Sequence, residues 1–177
     1  MANPQYKDPI AAKLIALFEE QAYKELKGKY MHGTPFIIAQ NQMNFPTVCI
    51  SGGVESATGM SSNEQDQSRL LYRVTVMIDV KKEWLIGKNL VGPEMELHRI
   101  LIGRDENMDM MKGSIEWVLR KNHVLDGPNR LYIDLGNETH AWIRPSIEGR
   151  GRGMFLYEGI IEFEVKHNQI RPQFQQP

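Results

Sequence analysis

The sequence has a single cysteine, no long apolar run and almost no net charge, and each shortage excludes a class of protein. Cys49 alone cannot form an intramolecular disulfide or supply a cysteine-rich zinc site, so we expect synthesis in a reducing compartment. Lysine and arginine number 21 against 22 acidic residues, and a net charge of −1 gives no general field for nucleic-acid binding. The mean hydropathy of −0.42 and the missing signal-peptide pattern predict no membrane contact.

Sequence motifs of catalysis and cofactor binding are also missing. The chain has no GxGxxG segment after a strand, no phosphate-binding P-loop, no GxSxG and no HExxH. The histidines are scattered, with no pair at a spacing of two or four that would bind a metal from one element. They are His32, His98, His123, His140 and His167. We therefore expect no metal, no cofactor and no enzymatic activity.

Two segments alternate between apolar and polar residues, as half-buried strands do. The first runs from Leu70 to Lys81, with Tyr72 and the valines and isoleucine that follow it at spacing two, and polar residues between most of them. The second runs from Met154 to Lys166 with the same period. We expect the two to be antiparallel neighbours in one sheet, with one face in the core and the other available to solvent or a partner.

The remaining elements predict the fold class. Asp8 is a good helix N-cap before Pro9, and the apolar spacing that follows predicts a helix over 8–27 that ends at Gly28. A second helix is predicted to start at 93, and a third is predicted over 107–122. Shorter strands are predicted at 45–50, 130–135 and 139–144. This order predicts an α+β protein with one mainly antiparallel sheet, and with the N-terminal helix and two or three further helices on one face. A single domain spans 1–167, followed by a flexible polar tail at 168–177.

Segment 51–69 is rich in glycine, serine, asparagine and glutamine, and it predicts a long loop between two strands. Such a loop is either a mobile hairpin tip or an arm that orders against another subunit, and the sequence leaves both open. Long exposed strand edges invite pairing with another chain. We therefore expect self-association.

Two groups of charged residues are candidates for contact with partners. Arg144, Arg150 and Arg152 surround a glycine-rich loop that could follow a phosphate backbone or face a partner, although an ordinary hairpin tip has the same composition. Glu158, Glu162 and Glu164 share one face of the last strand, and Arg73 lies on the outer face of the long strand. A solvated, salt-bridged face is the ordinary interpretation of these glutamates. A subunit interface is the functional one, and acid–base catalysis is a weaker third because no pocket is evident.

The order of elements resembles that of the tail terminator (tail completion) proteins of long-tailed bacteriophages and their head–tail joining relatives. The resemblance covers roughly Asp8 to Lys166: a helix, a strand that begins at Phe45-Pro46, a polar loop, a long alternating strand, a helix that ends in the leucine-rich stretch 114–127, and a last strand at 157–165. Segment 84–105 is additional to that pattern. It is either an outward decoration or a contact specific to the neck.

The resemblance implies a non-enzymatic virion protein that forms a ring, commonly a hexamer, on the last ring of the tail tube. Such a ring would stop tube growth and meet the head-side connector, and DNA would pass through its lumen without sequence-specific binding. Assembly would take place in the host cytoplasm. The alternatives are another neck or tube subunit, such as a head-closure protein, or a small nucleic-acid-binding module that uses the Arg144–Arg152 loop.

Overall fold

The computed structural model describes residues 8–33, 45–62, 65–79, 84–86, 89–136, 140–145 and 156–170. These residues form three α-helices, a short 3-10 helix at Lys24–Leu26 and strands β1 to β9. The helices are α1 (Pro9–Gln21), α2 (Pro93–Ile102) and α3 (Ile115–Lys121). The strands are β1 (Tyr30–His32), β2 (Thr47–Ser62), β3 (Gln65–Asp79), β4 (Trp84–Ile86), β5 (Asn89–Val91), β6 (Val124–Asp126), β7 (Leu131–Asp134), β8 (His140–Pro145) and β9 (Leu156–Ile170).

The main sheet has 7 strands in the order β1-β2-β3-β9-β7-β6, with β8 also paired to β9. Strands β4 and β5 form a separate hairpin. The β1–β2 pair is parallel, and the other pairs described in the main sheet are antiparallel. The predicted α+β fold with a mainly antiparallel sheet is therefore confirmed.

Strands β3 and β9 form the centre of the sheet. They pair along their whole length, from Gln65 opposite Ile170 to Asp79 opposite Leu156, as the shared alternation predicted. The apolar residues at spacing two point to one side and are buried there. They are Tyr72, Val74, Val76 and Ile78 of β3 and Ile161, Phe163 and Val165 of β9. We call this side the helical face and the opposite side the open face.

All three α-helices pack on the helical face, where their apolar stripes join the core cluster of β2, β3 and β9. In α1, Leu14 and Phe18 are fully buried. Helix α2 approaches β9 at Gly159, where a Cβ atom would lie 2.4 Å from the Cδ1 atom of Leu101. Glycine at this position therefore allows the helix to lie close to the strand.

The prediction of a long loop at 51–69 is wrong. Strand β2 continues to Ser62 and β3 begins at Gln65, so the hairpin stays paired almost to its tip. Register shifts between Gly52 and Val54 and at two later points let the small and glycine residues follow the strand. Composition did not reveal these strands because β9 runs beside β3 to the tip, so backbone pairing rather than apolar burial orders them.

Two predicted helices are longer than the observed ones. Helix α1 ends at Gln21, since Ala22 is extended and the Tyr23 amide donates to the distant Gly113 carbonyl. The chain then forms the 3-10 helix before Gly28, which has a φ of 73°. Helix α3 begins at Ile115, not at 107, because the Ser114 side chain caps it by accepting the Trp117 amide. The preceding residues form a loop instead.

The predicted strand at 139–144 exists as β8, but it is not a partner of β7. Both β7 and β8 pair with the same edge of β9, one after the other, since Asp134 lies opposite Glu164 and His140 lies opposite Glu162. The two strands therefore form one interrupted strand beside β9.

Candidate assembly surfaces

The open face carries a row of charged side chains at one end, which we call the charged ladder. Its members alternate with the core residues of β3, β9 and β7, so all point away from the helices. They are Arg69, Arg73, Asp134, Glu162, Glu164 and Lys166. Three of the predicted interface residues, Arg73, Glu162 and Glu164, thus lie together.

Each cation of the charged ladder contacts a carboxylate on a neighbouring strand. Arg73 donates from Nε to Oε1 of Glu162 at 2.7 Å, directly across the β3–β9 pair. Arg69 approaches Glu164 at 3.8 Å. Lys166 contacts Asp134 on β7, and this contact, with a hydrogen bond from the Gly136 amide, holds the pKa of Asp134 below its ordinary value. The ladder therefore has no net charge.

These ion pairs lie at the surface, and they contribute little to folding. The side chains of Arg69 and Arg73 are 45% and 47% exposed, and exposed pairs are worth roughly 0–1 kcal/mol each. Leu71, between the two arginines, is 39% exposed although leucine prefers the core. The open face at this end is therefore exposed and charge-compensated, with one apolar side chain among its ion pairs.

Glu158 does not belong to the charged ladder, although the sequence placed it in the same row. It is 8% exposed and lies at the other end of the open face, where Cys49, Met77 and Ile160 are also buried. This end is covered, with Phe45 and Met31 packed against Cys49 and Met77. The alternation pattern is the same at both ends, so no sequence signal distinguished them.

The predicted arginine cluster lies mostly outside the described residues. Arg144 is in β8, opposite Glu158 in the register of β8 and β9, but its side chain is not described. Arg150 and Arg152 lie outside the described ranges altogether. The prediction that these arginines face DNA or a partner therefore stays a prediction.

The hairpin of β2 and β3, which we call the polar hairpin, is joined to α1 through Asp8. The sequence analysis used Asp8 only as a helix cap. One carboxylate oxygen of Asp8 accepts the amides of Ile10 and Ala11 at 2.9 and 3.2 Å. The other accepts the Tyr72 hydroxyl at 2.8 Å. Gly53, with a φ of 83°, lies beside both groups, and a Cβ atom there would be 3.2 Å from the carboxylate. The start of α1 is thus fixed to the base of the hairpin.

A shallow groove of about 280 Å³ lies between α1 and β6. Its lining combines apolar side chains with Lys13, Glu20 and Asn122. At its rim Lys13 contacts Asp126 at 2.5 Å, and this contact, with two hydrogen bonds from Asn129, lowers the pKa of Asp126 to about 2. The groove holds no pair of groups arranged for acid–base or nucleophilic chemistry.

One loop has the spacing of a calcium site but not its geometry. Asp105, Asn107, Asp109 and Glu116 stand at the first, third, fifth and last positions of a helix–loop–helix calcium loop. Glu116, however, is buried and accepts hydrogen bonds from Arg104 and Arg120, both at 2.8 Å. These contacts hold the loop against α3 and satisfy the carboxylate that calcium would need.

The described ranges contain no group of three or more histidine, cysteine or acidic residues that could hold a metal ion. Cys49 is fully buried, and burial raises the pKa of its thiol to about 11. Among the described helices, none is long and apolar enough to cross a membrane.

Comparison with known proteins adds no relative from which a role could be transferred. No family model matches the chain, and no curated protein matches it in sequence.

Proposed function

We propose that the protein is a structural subunit that forms a ring at the junction of a phage tail and its neck. The ring ends growth of the tail tube and joins the tail to the head-side connector. The protein acts by assembly and is not an enzyme. Its place of action is the virion, after assembly in the host cytoplasm.

The observation that carries this proposal is a strand edge of the main sheet that has no hydrogen-bonded partner strand among the described residues of a single copy. Beyond Ile50, β2 has a partner only on its β3 side among the residues that the structure describes. An exposed strand edge of this length is a template for pairing with another chain. A ring subunit needs such surfaces on two sides, since a head-to-tail contact closes only when each copy offers two different patches.

The charged ladder supports the second part of the proposal, the passage of DNA. A lumen lined with unpaired lysine and arginine would hold the phosphate backbone and release counterions. In the ladder, each of Arg69, Arg73 and Lys166 is paired with a carboxylate. A charge-compensated open face that points into the lumen would let DNA slide past without retention.

The test is size-exclusion chromatography with multi-angle light scattering, alone and with purified tail tubes, followed by negative-stain imaging. A hexamer of the 20.4-kDa chain has a mass of about 122 kDa. Rings of that order, or binding to one end of the tubes with arrest of their growth, support the proposal. A monomer at every concentration that also ignores the tubes refutes it.

The same material separates the alternatives. A ring that ignores tail tubes but binds the head connector indicates a head-closure subunit. Salt-dependent DNA binding that is lost in the Arg150→Ala/Arg152→Ala variant, without ring formation, indicates the nucleic-acid-binding module instead. The salt series is essential because phosphate contacts weaken steeply as the salt concentration rises.

A further inference from the structure

In the described part of the chain, β2 beyond Ile50 and β8 each present an unpaired strand edge of the main sheet. β1 covers β2 only from Val48 to Ile50, which leaves 51–62 without a partner on its outer side in the described part of the chain. On the opposite side, β8 pairs with β9 alone among the described strands, so its outer edge at His140–Pro145 is also unpaired.

The directions of the strands make these two edges complementary. Along β2-β3-β9-β8 every pair is antiparallel, so β8 runs opposite to β2. When a second copy is placed beside the first in the same orientation, its β2 is antiparallel to the first copy's β8. Antiparallel strands pair through hydrogen bonds perpendicular to the strands, and this pairing is slightly more stable per residue than parallel pairing.

The two edges lie at different heights along the sheet, which fixes how neighbouring copies are displaced. Ser51 and Glu162 both lie opposite Arg73, and Ser62 and Ile170 both lie opposite Gln65. The free part of β2 is therefore centred near the level of Lys166. Strand β8 lies between the levels of Tyr157 and Glu162. The centres differ by about six residues, or roughly 20 Å along the strands.

We infer that copies of this chain pair β2 of one with β8 of the next, so that their sheets continue into a closed, tilted barrel. Four strands span roughly 19 Å across the sheet, and a displacement of roughly 20 Å along them tilts the strands by about 45° from the ring axis. Closed barrels need a tilt of about 35–45°. The unequal heights of the two edges thus supply about the stagger that closure requires.

This inference rests on the proposed ring, and it adds the interface and the dimensions. Each copy advances the circumference by roughly 28 Å, so six copies enclose a backbone diameter of about 53 Å. The bulges of β2 restrict which strand can pair with it, because they distort an otherwise regular edge.

Engineered cysteines test the β2–β8 contact. Ala57→Cys or Thr58→Cys in β2 is combined with Ala141→Cys in β8. Two β2 positions are used because successive side chains of a strand point to opposite faces of the sheet, so only one of them can lie on the same face as position 141 of the next copy. Oxidation of assembled protein should give a ladder of covalent multimers on a non-reducing gel, at least about tenfold faster than in the control, because the contact raises the effective thiol concentration. Lys24→Cys, at an exposed residue away from both edges, is the matched control.

Each outcome of the experiment decides the inference. A ladder in the double variants and none in the single variants supports it. Dimers in the β2 single variants alone indicate β2–β2 pairing and overturn it, as do rings that never cross-link. In both of those cases the proposed ring function survives, whereas a chain that assembles neither alone nor on tubes refutes both. A cryo-EM map of the unmodified ring is a second readout: strands parallel to the ring axis overturn the inference.

Discussion

Replacing Tyr72 by phenylalanine should destabilise the protein although it removes a single oxygen atom. The Tyr72 side chain is 1% exposed, and its hydroxyl donates to a carboxylate oxygen of Asp8, which is 8% exposed. Phenylalanine keeps the ring stacked on Phe163, at 6.3 Å between centroids, so the change leaves no cavity. The loss is the hydrogen bond to a buried charged group, which is worth about 1.5–3 kcal/mol.

This free energy should appear as a lower urea midpoint with an unchanged m-value. In a chain of 177 residues, a loss of about 2 kcal/mol lowers the melting temperature by roughly 4–8 °C. The far-UV circular dichroism spectrum should not change, because the two amides that Asp8 caps keep their acceptor. The variant is best measured as a monomer, at concentrations below any association, so that subunit contacts do not mask the effect.

A double-mutant cycle with Asp8→Ala identifies the cause. Asp8→Ala removes both the helix cap, worth about 1 kcal/mol, and the acceptor for Tyr72. In that background Tyr72→Phe should cost little, and the coupling between the two changes should exceed about 1 kcal/mol. If Tyr72→Phe costs the same in both backgrounds, the bond between α1 and the base of the hairpin does not stabilise the fold, and the reasoning fails.

Three further predictions follow from local geometry. Gly159→Val should cost about 1–3 kcal/mol in urea unfolding, because its side chain would collide with Leu101, whereas Gly127→Ala, near only one side-chain atom, should change little. Because the pKa of folded Asp126 is lowered to about 2, its contribution to stability is complete above its ordinary pKa and disappears as the pH falls towards 2. The free energy of unfolding of the Asp126→Asn variant, measured with urea, should therefore depend less on pH in that range than that of the unchanged protein. Cys49 should react with a thiol reagent only at the rate of unfolding, since it is fully buried and its pKa is raised to about 11; fast labelling would show that the covered end of the open face opens.

Predictions from the sequence were correct where the physical cause acts on the same residues that carry the pattern. Alternation along β3 and β9 predicted two antiparallel neighbours because one buried face imposes a period of two on both strands. Asp8 and Pro9 marked the start of α1 correctly, since capping is a local interaction. The end of α1 was missed because it depends on a distant contact, the hydrogen bond from the Tyr23 amide to the Gly113 carbonyl.

The candidate surface was only half predictable for the same reason. Glu158, Glu162 and Glu164 repeat every two or four residues along one strand, and their own sequence says nothing of what covers each. Burial separates Glu158 from the others, and ion pairs with β3 compensate Glu162 and Glu164. Whether a glutamate row is an acidic patch or a neutral ladder is decided by the neighbouring strand, which lies far away in the sequence.

The polar hairpin shows how the same limit bears on function. Segment 51–62 lacks apolar periodicity because its order comes from backbone hydrogen bonds to β3, which β9 supports in turn. A strand held in this way has little reason to carry apolar side chains, and its free edge remains available for pairing. This composition concealed the 51–62 part of β2 from the sequence analysis, and the same part presents the edge on which the proposed pairing between copies depends.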